Sequence, residues 1–69
     1  MKTREAWIEE ARAEIYNLQA AGEEVTRGVI EDEIRQNYLD PDVKMVVDAE
    51  GGVEAYIETL WAFIERELA

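Results

Sequence analysis

The densest set of large apolar side chains in this sequence lies near its end, over residues 53–68. At about 100° per residue these side chains occupy one helical arc of roughly 160°, and the charged positions fall on the opposite side. The apolar set is Val53, Tyr56, Ile57, Leu60, Trp61, Phe63, Ile64 and Leu68. An arc this wide exceeds what a two-helix seam requires. The pattern therefore predicts a central helix over 53–68 that packs against two or three neighbours.

Two helices are predicted in the first half of the chain. The first spans about 4–21, where Thr3 is a suitable N-cap and Gly22 suits the left-handed conformation that ends a helix. The second spans about 27–38 and is capped by Thr26. Their apolar positions are Trp7, Ile8, Ala11, Ile15 and Leu18 in the first, and Val29, Ile30, Ile34 and Tyr38 in the second. The link is short, so we expect these two helices to pack as an antiparallel or steeply crossed pair.

A short third helix is predicted over 41–50, with Asp40 as its cap and Pro41 at its first position. The residues expected to face the core are Val43, Val46 and Val47. The adjacent β-branched pair also leaves 43–47 open to an extended conformation. Gly51-Gly52 would cost about 2 kcal/mol inside a continuous helix, so a break is expected there. The predicted fold is a compact all-α bundle of four helices in one acidic domain, 1–69.

Size and composition restrict the chemistry that this chain can perform. With 69 residues and no Cys or His, stability must come from tight helix packing or self-association rather than from disulfides or zinc. The absence of Ser, Cys and His also excludes the common catalytic triads, and no phosphate-binding loop is present. We therefore expect no enzyme, no cofactor, no metal ion and no small-molecule substrate.

The net charge of −10 results from 17 acidic and 7 basic side chains. Nucleic acids and anionic membranes bind clustered Lys and Arg, so the charge disfavours both and favours a basic protein partner. No signal peptide opens the chain, and no apolar run approaches the roughly 20 residues of a membrane span. We expect a cytoplasmic protein.

Two clusters of acidic residues suggest metal binding, but the spacing of the acids in each differs from that in known metal-binding motifs. Asp40, Asp42, Asp48 and Glu50 flank the third helix, but they do not match the twelve-residue calcium loop. Glu9, Glu10 and Glu14, together with residues 31–33, resemble the paired acidic motifs of helical nucleotide pyrophosphatases, although the spacing differs by one residue. We therefore expect every Asp and Glu to lie on a solvated face or in a connector.

The first two helices also resemble the helix-turn-helix unit of DNA-binding regulators. The helix that would read DNA, 27–38, carries Arg27 and Arg35 against three acids at 31–33. Its net charge is negative, which is the wrong sign for contacts with phosphates. A DNA-binding regulator is the less favoured of the alternatives.

The sequence predicts a small acidic protein-interaction module that covers a basic surface of a partner protein. Antitoxins, nuclease-immunity proteins and phage anti-defence (anti-CRISPR) inhibitors share this size, charge and helicity, as a likeness of class rather than of motif. Nucleic-acid mimicry by the carboxylates is a narrower form of this prediction, which the interleaved arginines weaken. The alternative from another class is a structural homodimer that uses the face of helix 53–68.

Two aromatic residues are candidate anchors for a partner. Tyr16 lies off the apolar face of its helix, among charged positions. Trp61 lies at one edge of the apolar arc, where it either packs with Trp7 in the core or contacts the partner. The acidic members of the predicted contact set are Glu9, Glu31, Asp32 and Glu58.

Overall fold

Four α-helices form the fold in the computed structural model, which describes all residues from 1 to 69. They are α1 (Arg4–Ala20), α2 (Arg27–Asn37), α3 (Pro41–Ala49) and α4 (Val53–Leu68), and there is no strand. The all-α prediction is confirmed, and each predicted boundary agrees with the observed one to within a residue. Residues 43–47 are helical, which excludes the extended alternative. None of the helices combines the length and the apolar character needed to cross a bilayer.

Side chains just outside the helices fix where the first three begin. Thr3 Oγ1 accepts a hydrogen bond from a first-turn N–H of α1 at 3.1 Å, and Thr26 Oγ1 does the same for α2 at 3.3 Å. Asp40 Oδ1 accepts from the Asp42 N–H at 2.9 Å, and Pro41 occupies the first position of α3. These contacts satisfy N–H groups that have no partner inside the helix. All three predicted caps are confirmed.

The two glycines between α3 and α4 adopt conformations that other residues rarely adopt. Gly51 has φ +100° and Gly52 has φ +98°. A Cβ on Gly51 would also lie 3.2 Å from the Cβ of Ala55. The predicted break at this pair is confirmed, and α4 therefore begins as a separate helix.

α4 is the helix against which α1, α2 and α3 all pack. The core consists of Trp7, Ala11, Leu18, Ile30, Ile34, Val47, Tyr56, Ile57, Leu60 and Ile64, and the last four of these lie on α4. The Cα atoms span 16 Å in the thinnest direction, which corresponds to two layers of helices whose axes are about 8–10 Å apart. The centre of the apolar face of α4 is therefore covered by the other helices of its own chain, whereas Trp61 at its edge is half-buried and Leu68 at its end is exposed.

The pairing expected for α1 and α2 is weaker than their packing on α4, and the expectation that Val46 would face the core is wrong. α1 and α2 approach each other less closely than either approaches α4, because the wide apolar arc of α4 is the surface on which both bury their own apolar side chains. Val46 is 45% exposed, although it was expected to face the core. α3 has 9 residues and turns only the Val43 and Val47 side of its surface toward the core.

Trp7 packs with Tyr56 and Phe63, so the Trp7–Trp61 pair, one of the two alternatives left open for Trp61, is not formed. The Trp7 ring lies 4.9 Å from the ring of Tyr56 and 6.1 Å from that of Phe63, measured between centroids. Trp61 is half-buried against the core cluster, and Trp7 does not pack with it. Ile8, expected on the buried face of α1, is half-buried outside the core cluster.

Leu60 provides a direct test of the central role of α4, because its side chain has no exposed surface. We expect Leu60→Ala to lower the free energy of unfolding by about 2–5 kcal/mol, through lost burial and the cavity left behind. Leu39→Ala removes the same atoms from a side chain that is 85% exposed, so its effect should stay within about 0.5 kcal/mol. Urea unfolding followed by circular dichroism measures both. Equal losses would contradict the described packing.

Gly52 and Gly28 form a matched pair for testing the break before α4. Alanine at Gly52 would have to adopt φ +98°, so Gly52→Ala should destabilise the fold by about 1–3 kcal/mol. Gly28 lies in α2, and an added Cβ meets nothing within 4 Å. Gly28→Ala should therefore stabilise the fold by about 0.5–1 kcal/mol. Thermal unfolding should show midpoint shifts of opposite sign, and shifts of the same sign would argue against this backbone.

Candidate functional site

A groove of about 370 Å³ is lined by residues from all four helices and from the N-terminal segment. Its lining consists of Lys2, Glu10, Glu14, Ile34, Asn37, Asp42, Val43, Val46, Val47 and Tyr56. Most of the apolar lining comes from α3, whereas the carboxyl groups come from α1 and from the first turn of α3. The groove thus combines an apolar surface with three carboxyl groups, and it is the candidate site.

Lys2 occupies part of this groove through a network that joins the N-terminal segment to α1 and α4. Its ammonium forms an ion pair with Glu10 and donates a hydrogen bond to the Tyr56 hydroxyl oxygen at 2.9 Å. The Tyr56 hydroxyl in turn donates to Glu10 Oε1 at 2.6 Å. The same ammonium lies 4.7 Å from the centroid of the Trp7 ring and 5.2 Å from that of Tyr56. The groove therefore binds a lysine cation between a carboxylate and aromatic faces.

Burial raises the pKa of Tyr56 well above its ordinary value, and the hydrogen bond to Glu10 and that carboxylate's charge raise it further. A phenol with a raised pKa keeps its proton and remains a donor. The Glu10 carboxylate thus has a permanent neutral donor in Tyr56 and a cationic partner in Lys2.

The backbone of the N-terminal segment is also held in place. The Lys2 N–H donates to Glu50 Oε2 at 2.8 Å, and the terminal amino group of Met1 lies 3.6 Å from the same oxygen. The Glu50 side chain is only 10% exposed. These contacts at the end of α3 explain why Lys2 can reach Glu10 and Tyr56.

Glu14 is half-buried with one carboxylate oxygen shielded from solvent, and the expectation that every acid would lie on a solvated face or in a connector is wrong for it. Its Oε2 atom is buried and has no hydrogen-bond partner. Burial is the main reason that the pKa of Glu14 is raised to about 7, and the nearby carboxylates of Glu33 and Glu10 add to the rise. Near neutral pH, a proton on Glu14 takes the place of a counter-ion.

Three of the four acids that flank α3 make contacts within the chain, whereas the side chain of the fourth, Asp42, is exposed. Asp40 caps α3, and Glu50 holds the N-terminal segment. Asp48 Oδ1 accepts a hydrogen bond from the Tyr38 hydroxyl at 2.6 Å, and Asp48 Oδ2 accepts one from Lys44 Nζ at 3.0 Å. The bond from Tyr38, followed by that from Lys44, lowers the pKa of Asp48. No group of three or more acidic side chains is arranged to hold a metal ion.

The residues predicted to contact a partner lie on three helices, and no hydrogen bond or ion pair joins any two of them. Tyr16 is 72% exposed, as predicted, whereas Trp61 is half-buried against the core. Glu31 is paired with Arg35 at 3.2 Å, and Arg35 also pairs with Glu54. The exposed acids of the set are Glu9, Asp32 and Glu58. These residues do not form one site.

The sequence pattern did not predict the groove, although it contained one indication of it. Glu14 follows Trp7 and Ala11 and precedes Leu18 at the spacing of a single helical face. All three of those apolar residues are buried. An acid inside such a repeat indicates a carboxyl group that folding will bury. Its neighbour on α2, Glu33, is grouped with it only through the paired acidic motifs, whose spacing this chain does not match.

Comparisons with protein-family models, with curated proteins and with solved structures give no match. The function must therefore be argued from the geometry and charge of the chain. Carboxyl groups beside apolar walls and aromatic rings are the surroundings that suit the side chain of a lysine or an arginine.

Glu14→Gln should change stability in a way that depends on pH. An acid with a raised pKa binds its proton more tightly in the folded state, so protonation of Glu14 stabilises the fold. This contribution is complete below about pH 4.5 and is lost as the pH rises through about 7. After allowance for partial solvent exposure, we expect Glu14→Gln to stabilise the protein by about 1 kcal/mol at pH 8 and to have little effect at pH 5.

Urea unfolding at both pH values measures this effect. Glu9→Gln is the matched control, because Glu9 lies on the same helix, is exposed and carries the same charge. The control should change stability by a similar small amount at the two pH values. An equal effect of Glu14→Gln at pH 5 and pH 8 would contradict a raised pKa of Glu14.

Proposed function

We propose that this chain is a small acidic interaction module that binds a basic surface of a partner protein and blocks it, as inhibitor, antitoxin, immunity or phage anti-defence proteins do. One observation carries the proposal, namely the distribution of charge. The chain has 17 acidic and 7 basic side chains, and its own carboxylates already pair with four of the basic ones. The pairs are Lys2–Glu10, Arg12–Glu67, Arg35 with Glu31 and Glu54, and Lys44–Asp48. Glu50 lies 3.6 Å from the terminal amino group of Met1, and the other acids form a large surplus of negative charge that has no internal counter-ion.

The mechanism has a long-range and a short-range part. The negative potential of the surplus acids attracts a basic partner and raises the association rate. Exposed apolar and aromatic side chains then hold the complex, and Tyr16 is one such group at 72% exposure. Trp61 can contribute the part of its ring that the core leaves uncovered. A cytoplasmic location, expected from the sequence, is part of the proposal.

Nucleic-acid mimicry is the narrower form of the same proposal. Arginines interleaved with the acids would interrupt an imitation of a phosphate backbone. Two of them, Arg12 and Arg35, are tied to carboxylates of the chain, whereas Arg4 and Arg27 are in no ion pair. The ion pairs of Arg12 and Arg35 neutralise two of the positive charges that would interrupt a row of carboxylates. The structure therefore supports mimicry more strongly than the sequence alone.

The homodimer alternative receives less support. A dimer seam along α4 needs a free apolar face, but Tyr56, Ile57, Leu60 and Ile64 are buried by the chain's own helices. The exposed large apolar residue on α4 is Leu68, at 45%. Sedimentation at micromolar concentration distinguishes the interaction module from the structural homodimer, because a monomeric protein would exclude the homodimer.

The dependence of binding on salt tests the proposed function. The tagged full chain is used to capture a partner from its native cell, and the purified pair is then studied by surface plasmon resonance. Between about 50 mM and about 500 mM NaCl, we expect the association rate constant to fall by about tenfold or more, because salt screens the attraction. An association rate that did not change with salt would rule out both steering and mimicry.

Tyr16→Ala and Trp61→Ala test the short-range part of the mechanism with the same purified partner. Loss of an aromatic anchor should weaken binding by about tenfold, mainly through faster dissociation. Thermal unfolding of each variant shows whether it still folds, which matters most for the half-buried Trp61. If both variants fold and neither changes the affinity, the anchors lie elsewhere.

A further inference from the structure

We propose that the groove is the docking site for a basic amphipathic segment of the partner protein. A lysine or arginine of that segment enters beside the carboxyl groups of Glu14 and Asp42, and its apolar side chains lie on Val46 and Met45. This inference rests on the proposed function and adds both the place and the chemistry of binding.

The groove already binds one cation of the required kind. The Lys2 ammonium forms an ion pair with Glu10 and donates a hydrogen bond to the Tyr56 hydroxyl oxygen at 2.9 Å. It also lies 4.7 Å from the centroid of the Trp7 ring. A carboxylate next to aromatic faces is a good environment for an ammonium or a guanidinium. The N-terminal segment thus shows, within the chain, how a basic side chain fits this surface.

The groove has capacity for a second cation. Asp42 is exposed and takes part in no ion pair. Glu14 Oε2 is buried and has no hydrogen-bond partner. The adjoining wall is made of Ile34, Val43, Val46 and Val47. A long basic side chain suits both the apolar wall and the carboxyl groups, because its methylene stem packs on apolar atoms while its charged end reaches a carboxylate.

Exposed apolar side chains lie next to the groove on α3. The exposed large hydrophobic residues of the chain are Met1, Tyr16, Leu39, Met45, Val46 and Leu68, and three of these six lie within residues 39–46. By helical spacing, Asp42, Met45 and Val46 share one face of α3. Clustered apolar exposure beside charged groups is typical of an interface. A partner segment is therefore expected to be amphipathic as well as basic.

The charge of the molecule selects a basic protein segment over the other possible occupants. A second copy of this chain would bring its own net charge of −10 to the groove, and four of its basic side chains are already engaged in ion pairs. Anionic lipid and nucleic acid are repelled for the same reason. A segment rich in lysine or arginine is attracted before it makes any contact.

Binding of a cation at Glu14 is coupled to a proton. The ionisable groups that face or flank this carboxyl are Glu10 on α1, Glu33 on α2, Asp42 on α3, Tyr56 on α4 and Lys2. Because burial and the nearby carboxylates raise the pKa of Glu14 to about 7, some of the free protein carries a proton there near neutral pH. An incoming ammonium or guanidinium displaces that proton, so affinity should rise between pH 6 and pH 8.

A synthetic probe tests the groove without knowledge of the natural partner. The probe is a helical peptide of about 18 residues, made of leucine and lysine, with its lysines on one face. A scrambled peptide of the same composition, which has the same charge and no apolar face, is the control. Titration calorimetry gives affinities at pH 6 and pH 8 in about 50 mM NaCl, and amide chemical shifts locate the binding site.

Five single substitutions assign the site. Glu14→Gln, Asp42→Asn and Val46→Ser should each weaken binding of the amphipathic peptide by about tenfold, and Glu14→Gln should also remove the dependence on pH. The controls are Glu65→Gln, which removes an exposed charge on α4, and Leu68→Ser, which changes a side chain with the same 45% exposure as Val46. Neither control should change the affinity by more than about twofold.

The outcomes distinguish this inference from the proposed function. Docking in the groove would be supported by three results together. These are tighter binding of the amphipathic peptide than of the scrambled one, chemical-shift changes centred on residues 42–46, and loss of affinity in the groove variants only. Equal binding of both peptides, with shift changes spread over the acidic surface, would overturn the groove and leave the proposed function intact. Failure of both peptides to bind at low salt would overturn both.

Discussion

Burial of the apolar face of α4 is the interaction on which the rest of the structure depends. This helix supplies Tyr56, Ile57, Leu60 and Ile64 to a core of ten residues, and each of the other helices packs against it. A chain of 69 residues without disulfides or metal has little other source of stability. The arrangement of α1, α2 and α3 is therefore governed by how each helix covers part of α4, and their contacts with one another are secondary.

The same packing half-buries one carboxyl group, that of Glu14. α1 buries the face that contains Trp7, Ala11 and Leu18, and Glu14 belongs to that face. Its carboxyl then lies near Glu33 with no cation to neutralise it, and its pKa rises accordingly. An apolar residue there would pack more simply, so Glu14 is a local departure from the rules of stable packing. Such departures concentrate at functional sites, and this one lines the groove.

The net charge of the chain and the shape of its groove each favour the proposed basic partner, and they do so independently. The net charge of −10 describes the whole surface and acts at long range, where it favours any basic molecule. The groove acts at short range, where the cation held by Glu10, Tyr56 and Trp7 shows which side chain fits. Association would depend mainly on the former and selectivity on the latter.

The sequence by itself determined the helices, because the signals that start and stop a helix are local. Thr3, Thr26, Asp40-Pro41 and Gly51-Gly52 each act within one turn, so the boundaries could be predicted to within a residue. Tertiary structure decided which helices meet, why Val46 remains exposed and that Glu14 is half-buried beside Glu33. The six predicted contact residues included none of the groove, since its walls join residues from position 2 to position 56. Contacts across such distances depend on how whole helices share the face of α4, and no short pattern encodes that.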